Sequence, residues 1–365
     1  MRSSIKQLWH VKIEELRSTT YKKLNYRVKK DLTMKAIGYF EPLPISNPES
    51  LLELDIPEST ITNEDLLVEV KAVSVNPIDF KVRKTRKAKN NQPVILGWDA
   101  AGIVRDRGSK SNGFEIGDEV FYAGDLLRPG SNAQMQAINY RLVAKKPKNL
   151  NFSEAAALPL TSLTAYESLF EKLNIPQEEN CNVLIIGGAG GVGSMAIQLL
   201  KQLTQATVFT TYGRSASLDW IQSLKADVLL DRNISLTDHV KTGALSLVEY
   251  IFSTTHTDQY LKDFPEVMTP FGQLCLIDDP QPFDIKIFKG KAMSLHWESM
   301  FAKSMFSYNM NSQGEILTKI SQLVEANKIK TTAQHNLRGL KAENFKEAHR
   351  ILESAESIGK ITIEF

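Results

Sequence analysis

The 365-residue sequence contains only two cysteines, Cys181 and Cys275. Two thiols cannot build a disulfide framework or a four-thiolate zinc site, and their scarcity favours a reducing, cytoplasmic setting. No apolar run approaches the roughly 20 residues that a membrane-spanning helix needs. The 44 basic and 42 acidic residues nearly cancel, so the clustered positive charge of a nucleic-acid binder is also missing. We therefore expect neither a membrane nor a nucleic acid as a partner.

The first 33 residues differ from the rest of the chain. They are rich in Lys and Arg, and they end just before MKAIGYF, which is typical of the first strand of an enzyme. A targeting peptide is the alternative, but the adjacent acids Glu14 and Glu15 and the low serine content argue against it. We interpret residues 1–33 as an appendage that need not be native, and we expect the folded protein to begin at Met34.

Short strands and turns dominate residues 34–152. LLVEVKAVSV (66–75) alternates apolar and polar residues, as a half-buried strand does. Gly and Asp mark turns around the next two strand segments, AAGIVRDRG (100–108) and IGDEVFYAGD (116–125). The pattern predicts a β-rich domain in this part of the chain.

Strands and helices alternate from residue 153 onwards. FSEAAALPLTSLTAYESLFEKL (152–173) predicts one continuous helix, and five apolar strands follow, with helical segments such as 258–268 between them. This alternation predicts an α/β domain in which a doubly wound parallel sheet carries helices on both faces. Residues 297–365 add two helical stretches and a last strand, IGKITIEF.

A glycine-rich turn follows the first of these strands, NVLIIG. Its glycines match the pattern G-x-G-x-x-G between a strand and a helix, which is the context of a dinucleotide-binding turn. The pattern allows a tight turn, a close approach of backbone to a pyrophosphate, and close packing of helix on strand, while the helix N-terminus favours negative charge. The sequence therefore predicts cofactor binding by the residues of this turn: Gly188, Ala189, Gly190, Gly191, Val192 and Gly193.

The second strand lacks the acidic residue that usually binds the ribose hydroxyls of NAD. It ends in TTYGRSAS, where Arg214 and Ser215 occupy that position and no acid precedes Asp219. A guanidinium suits a 2′-phosphate in charge and geometry. We therefore predict NADP(H) as the cofactor, the alternative being a solvated arginine that touches nothing.

The order of these regions resembles that of the medium-chain dehydrogenase/reductase superfamily. Finer matches are similar to its quinone oxidoreductase subfamily and to the subgroup of zinc-type alcohol dehydrogenase-like proteins: VNPIDFKVR, YAGDLLRPGSNAQ, LIDDP, SLHWESMF and IGKI. The resemblance covers about 34–365. It implies a GroES-like β-rich catalytic domain at 34–152, a Rossmann-type NADP-binding domain at 153–296, a C-terminal return to the catalytic domain at 297–365, and a homodimer.

The resemblance also shows which metal ligands are absent. Zinc alcohol dehydrogenases of this superfamily carry catalytic ligands in a G-H-E-x-x-G-x-V stretch and in a Cys after an earlier strand. The similar stretch here, GWDAAGIV, has Trp98 at the His position and Asp99 at the Glu position, and Asn76 corresponds to the Cys. An indole cannot bind zinc and an amide binds it poorly, so we expect no zinc. We interpret Trp98 as filling the vacated space. We expect Asp99 to pair with Lys81 or Arg83.

Site residues follow from the same resemblance. Asn76 is predicted to lie near the nicotinamide and to hold a substrate carbonyl oxygen. Tyr122 is predicted to donate a hydrogen bond or a proton, with packing as the alternative, while Asp79 and Arg83 brace the loop. The resemblance predicts further cofactor contacts at Thr164, in a helix, and at Lys360, for which a surface position is the alternative. Ser253, Ile277 and Asp278 are predicted to contact the cofactor as well, because they lie at strand ends, where ligands bind.

Without zinc, no Lewis acid polarises a carbonyl or an alcohol. Hydride transfer must then rely on hydrogen bonding to the developing negative charge. Quinones and α,β-unsaturated carbonyls suit this chemistry because their charge spreads over a conjugated system and the last proton can come from water. We predict an NADPH-dependent, zinc-independent oxidoreductase acting on such small molecules. The alternatives are a zinc-type alcohol dehydrogenase and an NADPH-binding protein with little turnover, used for structural or RNA-binding work.

A chain that begins at Met34 should fold and work like the full-length protein, because the preceding residues are interpreted as an appendage. Soluble yield and NADPH oxidation with a quinone measure this directly. Loss of soluble protein on truncation would refute the interpretation.

Overall fold

The computed structural model of the chain describes residues 33–365. The predicted appendage lies outside the described residues except for Thr33, which opens the first strand. No helix within the described residues combines the length and the apolar character that crossing a bilayer requires.

Eight strands make up the N-terminal part of the described chain. They are β1 (Thr33–Tyr39), β2 (Leu52–Pro57), β3 (Asp65–Val75), β4 (Val94–Ile95), β5 (Ala100–Arg107), β6 (Glu119–Tyr122), β7 (Met135–Asn139) and β8 (Val143–Lys145). Strands β2, β1 and β4 form a small sheet, and the others belong to a larger one. One helix, α1 (Pro77–Thr85), follows β3, and short 3₁₀ turns occupy Pro48–Ser50 and Tyr140–Leu142.

The middle of the chain builds a six-stranded sheet. The elements that lead into it are α2 (Phe152–Ala156), α3 (Pro159–Tyr166) and a π-helical segment, Glu167–Lys172. The sheet region then runs through β9 (Asn182–Ile186), α4 (Gly191–Leu203), β10 (Thr207–Tyr212), α5 (Ser215–Ser223), β11 (Val228–Asp231), α6 (Leu236–Lys241), β12 (Val248–Ser253), α7 (Thr257–Tyr260), α8 (Phe264–Val267), β13 (Met268–Leu276), a 3₁₀ segment (Ile285–Lys291) and β14 (Ser294–Trp297).

All pairings in this sheet are parallel, in the order β11-β10-β9-β12-β13-β14. Renumbered from β9, this is the 3-2-1-4-5-6 order of a doubly wound dinucleotide-binding sheet. The predicted fold class, a Rossmann-type sheet accompanied by a β-rich region, is confirmed.

The C-terminal residues return to the first part of the chain. They form α9 (Phe301–Met305), α10 (Asn311–Glu325), β15 (Ala333–Arg338), α11 (Ala342–Glu353) and β16 (Lys360–Glu364). Strand β16 pairs antiparallel with β3, Ile361 opposite Val75, within the sheet β15-β16-β3-β5-β6-β8. This pairing brings the end of the chain beside the residues that follow β3.

The apolar core covers both faces of the six-stranded sheet. In its central strand β9, Val183, Leu184, Ile185 and Ile186 are all fully buried. Val183 and Ile185 join the large cluster that continues into the β-rich region, whereas Leu184 and Ile186 belong to a second cluster. Burial on alternate faces of one strand is what a parallel sheet with helices on both sides requires.

Two predicted helices are interrupted. The helix expected at 152–173 is split into α2, α3 and the π segment, because Pro159 has no N–H for a helix interior and instead opens a new helix. The helix expected at 258–268 is split into the single turns α7 and α8, with Pro265 at the start of α8, and Met268 already belongs to β13.

Helix α1 lies where the sequence interpretation placed a loop. Asn76 precedes the helix, Pro77 opens it, and the Asp79 carboxylate accepts a hydrogen bond from the backbone N–H of Asn76 at 2.7 Å. Asn, Pro and Asp in this spacing are helix-start signals, so this helix is detectable from the local sequence.

The fully buried Arg83 joins α1 to α11. Its Nε donates to Nδ1 of His349 at 3.2 Å, and its terminal nitrogens donate to the Leu43 carbonyl and the Glu353 carboxylate. Burial, together with Arg83 and Lys84, lowers the pKa of His349 to about 3. The imidazole therefore stays neutral and accepts from the guanidinium.

We expect His349 to contribute to acid sensitivity. Its folded-state pKa is depressed, so between about pH 6.5 and 3 the unfolded chain binds a proton that the folded chain does not. As the pH is lowered through this range, this group therefore reduces the free energy of unfolding by up to ~1.4 kcal/mol per pH unit. His349→Asn keeps an acceptor for Arg83 but does not titrate. Urea unfolding of both proteins between pH 7.5 and 4.5 should show the shallower decline for the variant. Parallel curves would contradict the assignment.

Candidate active site

The glycine-rich turn lies between β9 and α4, as the sequence predicted. Gly190 is the N-cap of α4, whose first turn leaves backbone N–H groups for a ligand. At Gly193, a Cβ atom would lie 2.2 Å from the carbonyl oxygen of Gly187, so only glycine permits this approach of helix to strand. The turn therefore fits the pyrophosphate of a dinucleotide.

Arg214 stands at the end of β10, beside the start of α5. Its Nη2 donates to the backbone carbonyl of Glu356 at 2.5 Å, and its Nη1 lies 3.7 Å from the carboxylate of the same residue. Arg214 is thus held by the loop that precedes β16, and Ser215 begins α5 next to it.

A second arginine at this corner, Arg232, was missed in the sequence. It follows β11, and its backbone N–H donates to the carbonyl of Tyr212 at 3.0 Å. A Cβ atom on Gly213 would lie 2.6 Å from its guanidinium carbon, so the guanidinium lies directly on that glycine. Within residues 33–365, the guanidinium of Arg232 has no hydrogen-bonded or ion-paired partner. A cation directly after a parallel strand, at the ligand-binding edge of the sheet, was the available signal.

The strand-end residues are tied to one another. Ser253 is buried, and its hydroxyl lies 2.8 Å from that of Thr257. The Asp278 carboxylate accepts from the backbone N–H of Thr257 at 2.9 Å and from its hydroxyl at 2.6 Å. The structure therefore brings Ser253 and Asp278 together around the start of α7, with Ile277 half-buried beside them.

Tyr122 and Thr164 are both buried. The Thr164 hydroxyl donates to the Leu160 carbonyl within α3 at 2.8 Å. The Tyr122 hydroxyl has no hydrogen-bond partner among the described residues, and burial raises its pKa, so it remains protonated. In the sheet, Tyr122 is paired with Ala100, the residue after Asp99.

Trp98 fills the position where zinc-binding members carry a histidine. The indole is fully buried, its Nε1 donates to the Asp125 carbonyl at 3.1 Å, and its rings meet Phe301 edge-on with a centroid separation of 6.2 Å. The interpretation of Trp98 as a space-filling residue agrees with this packing.

Asp99 is held by three donors. Its Oδ2 accepts from Nδ2 of Asn76 at 2.8 Å and from Nζ of Lys360 at 3.1 Å, and its Oδ1 accepts from the backbone N–H of Leu160 at 2.8 Å. The expected pairing with Lys81 or Arg83 is wrong. Helix α1 directs both side chains elsewhere: Lys81 pairs with Asp279, and Arg83 reaches α11.

Asn76 is also enclosed by the protein. Its Nδ2 donates to Asp99 and, at 3.3 Å, to the Ser74 carbonyl, while its Oδ1 accepts from Lys360 at 2.7 Å. The predicted role of this amide, binding a substrate carbonyl, therefore requires it to give up one of these partners. Asp79 braces the segment, since its Oδ1 accepts from the Gly97 N–H at 3.0 Å, and burial raises the pKa of Asp79 to about 7.

Lys360 points away from solvent. Its Nζ donates to the Val75 carbonyl at 3.0 Å as well as to Asn76 and Asp99, and its stem passes so close to Gly191 that a Cβ there would lie 2.6 Å from Lys360 Cδ. Burial lowers the pKa of Lys360 and raises that of Asp99, while the ion pair opposes both shifts. The stem rather than the ammonium therefore lies against the cofactor turn.

These residues do not fit a zinc ion. The indole nitrogen of Trp98 carries a hydrogen and has no lone pair for a metal, the amide oxygen of Asn76 is bound by an ammonium, and Asp99 already neutralises that ammonium. In the part of the chain that the structure describes, no three His, Cys, Asp or Glu side chains cluster as a metal site.

Comparison with known proteins gives the family. Residues 62–148 match the alcohol dehydrogenase GroES-like domain, and residues 214–363 match the zinc-binding dehydrogenase family. A zinc-type alcohol dehydrogenase-like protein of Staphylococcus aureus is 36% identical over 336 residues, covering 90% of this chain and 99% of that protein. A 2-methylene-furan-3-one reductase of Solanum lycopersicum is 30% identical over 326 residues, covering 86% and 74%.

A solved structure agrees with these matches. A Rhizobium etli protein described as a zinc-dependent alcohol dehydrogenase superposes with a TM-score of 0.88 at 44% identity, covering 91% of this chain and 98% of that one. The predicted resemblance is confirmed: the chain belongs to the medium-chain dehydrogenase/reductase superfamily, in the quinone oxidoreductase subfamily and its group of zinc-type alcohol dehydrogenase-like proteins.

Proposed function

We propose that this oxidoreductase uses NADPH to reduce quinones or α,β-unsaturated carbonyls by hydride transfer, without zinc. One observation carries the proposal. Beside an intact dinucleotide turn, the positions of the metal ligands hold Asn76, Trp98 and an Asp99 that is paired with Lys360. The tomato relative bears the name of an enzyme that reduces a conjugated ketone, which supports the same substrate class.

The preference for NADPH rests on two guanidinium groups. Arg214 and Arg232 flank Gly213 at the end of β10, where the adenosine ribose of a dinucleotide would lie. Neither guanidinium is paired with a buried acid. Arg232 has no ion-pair partner within residues 33–365, and Glu356, the acid near Arg214, is exposed. A 2′-phosphate offers both arginines a stronger partner than they have in the free protein.

When bound, NADPH supplies the hydride. The first turn of α4 binds and orients the pyrophosphate, and the two arginines hold the 2′-phosphate. Trp98 and Phe301 exclude water from the former metal space. The protonated hydroxyl of Tyr122, which has no partner among the described side chains, is a donor for the oxygen on which negative charge develops. Oxidation of a simple alcohol requires a free base, and Asp99 is occupied by its ion pair.

Replacing either arginine should weaken NADPH selectively. We expect Arg214→Ala and Arg232→Ala each to reduce kcat/KM for NADPH by about 10- to 100-fold and to leave that for NADH nearly unchanged, because each removes one charge-assisted phosphate contact of about 1.4–3 kcal/mol. Arg338→Ala, which removes an exposed arginine from β15, is the matched control. An unchanged ratio of NADPH to NADH in both variants would discard the nucleotide assignment.

The substrate class can be tested with a panel of quinones, enones, aldehydes and alcohols. We expect NADPH oxidation with members of the first two groups, no alcohol oxidation, and no loss of rate after dialysis against a chelator. Elemental analysis of the same purified protein measures its zinc content. Stoichiometric zinc together with alcohol oxidation would establish the alcohol dehydrogenase alternative, and NADPH binding without turnover on the whole panel would establish the binding-protein alternative.

A further inference from the structure

Two glutamates are buried in contact where the chain leaves the last strand of the six-stranded sheet. Glu298 follows β14, and its backbone N–H donates to the Leu276 carbonyl at 3.0 Å. Its side chain meets that of Glu167, the first residue of the π-helical segment, and the two carboxyl groups are hydrogen-bonded to each other. The residues are only 6% and 1% exposed. Two ionised carboxylates in buried contact repel each other, so this carboxyl pair requires a proton.

The charges around the carboxyl pair lead to the same conclusion. The ammonium of Lys303, in α9, donates to both carboxylate oxygens of Glu171 at 2.8 and 2.7 Å and lies 3.3 Å from Oε1 of Glu167. Nζ of Lys172 lies 3.9 Å from Oε2 of Glu298, an oxygen with no hydrogen-bond donor among the described residues. Three carboxyl groups thus share two ammonium groups, and one proton makes the cluster neutral.

The other titratable groups beside the carboxyl pair add no charge. Burial raises the pKa of Cys275, in β13, to about 12, and burial together with Lys172 lowers the pKa of His296, in β14. Burial and then the Glu167 carboxyl raise the pKa of Glu298 to about 8. Burial also raises the pKa of Glu167, while Lys303 opposes that shift. The pair is therefore protonated at neutral pH and loses its proton in mildly alkaline solution.

The carboxyl pair is connected to one side of the candidate active site. Nε2 of Gln313, in α10, donates to Oε1 of Glu167 at 3.2 Å and to the Met300 carbonyl at 2.7 Å. The residue after Met300 is Phe301, whose ring meets Trp98 edge-on. Residues 298–301 are thus held at one end by the Glu298 side chain and at the other by the amide that also binds Glu167.

We propose that the proton shared by Glu167 and Glu298 fixes residues 298–301 and keeps Phe301 against Trp98, which makes Glu298 a positioning residue for the reduction. The proposal rests on the proposed reductase function for its catalytic consequence. When the proton leaves for solvent, one carboxylate has to move away from the other, and residues 298–301 move with it. Phe301 then separates from Trp98 and water enters the former metal space. The pair acts through Phe301 and needs no contact with the substrate.

The pH dependence of kcat tests this role, with whichever quinone or enone of the panel above is reduced fastest. Between pH 7 and pH 9, the protonated fraction of a group with a pKa of about 8 falls roughly tenfold, and we expect wild-type kcat at saturating NADPH to fall with it. Glu298→Gln keeps the shape and a donor, does not titrate, and leaves two carboxylates for two ammonium groups. Its ratio of kcat at pH 9 to kcat at pH 7 should exceed that of the wild type by about fivefold or more.

The control for the charge change is Glu315→Gln, which replaces an exposed glutamate of α10 and should keep the wild-type pH profile. The Kd for NADPH, measured by fluorescence, should change by less than about threefold over the same pH range, because the cofactor turn is not involved. A wild-type kcat that does not fall, or a fall that persists in Glu298→Gln, would overturn the proposal. If Glu298→Gln yields no folded protein, Glu167→Gln gives the same test, since it also leaves two carboxylates for two ammonium groups.

A variant of Phe301 tests the route from the carboxyl pair to the site. Phe301→Leu keeps most of the apolar volume but removes the edge-on contact with Trp98. We expect a lower kcat at pH 7 and little further fall towards pH 9, because the ring that the proton positions is already missing. A fall as large as that of the wild type would show that the pair does not act through Phe301.

Failure of the proposed function is distinguishable from failure of this inference. A carboxyl group whose pKa is raised in the folded state loses its contribution to stability as the pH rises towards that pKa. The Tm of Glu298→Gln should therefore gain on that of the wild type by roughly 3 °C or more between pH 6 and pH 8.5. If the wild-type protein reduces no quinone or enone, the reductase proposal fails, but this comparison still reports on the shared proton. A Tm difference that stays constant with pH means that the pair holds no such proton, and the inference fails whatever the substrate is.

Discussion

The ion pair between Lys360 and Asp99 joins parts of the chain that are distant in sequence. Its two residues are 261 positions apart, and they meet because β16 pairs with β3, which lies beside β5. Both charges are buried, so each depends on the other and on surrounding hydrogen bonds for its stability. The register of the sheet, the start of α3 and the position of the cofactor turn are therefore all tied to one contact.

Part of this arrangement could be predicted from the sequence. The glycine-rich turn is predictable because its spacing, its strand and its helix are all local. The absence of zinc ligands is predictable because it depends on the identities of Asn76, Trp98 and Asp99 and not on their geometry. The parallel sheet followed from the alternation of apolar strands and helices, and the structure confirms it.

Other parts depend on contacts that no local pattern contains. The nearest basic residues in sequence, Lys81 and Arg83, were expected to pair with Asp99, but both sit on a helix that carries them to other partners. Arg232 comes near Gly213 only because β10 and β11 are neighbours in the sheet. The breaks at Pro159 and Pro265 were visible in the sequence, but the helical pattern on either side of each proline outweighed them.

A cation that belongs to the polypeptide is present as soon as the chain has folded. Here the positive charge beside Asp99 comes with translation, and it reaches the pocket when β16 pairs with β3. Because Asp99 is encoded 261 positions before Lys360, its carboxylate lacks this partner until the residues of β16 have been synthesised and have joined the sheet.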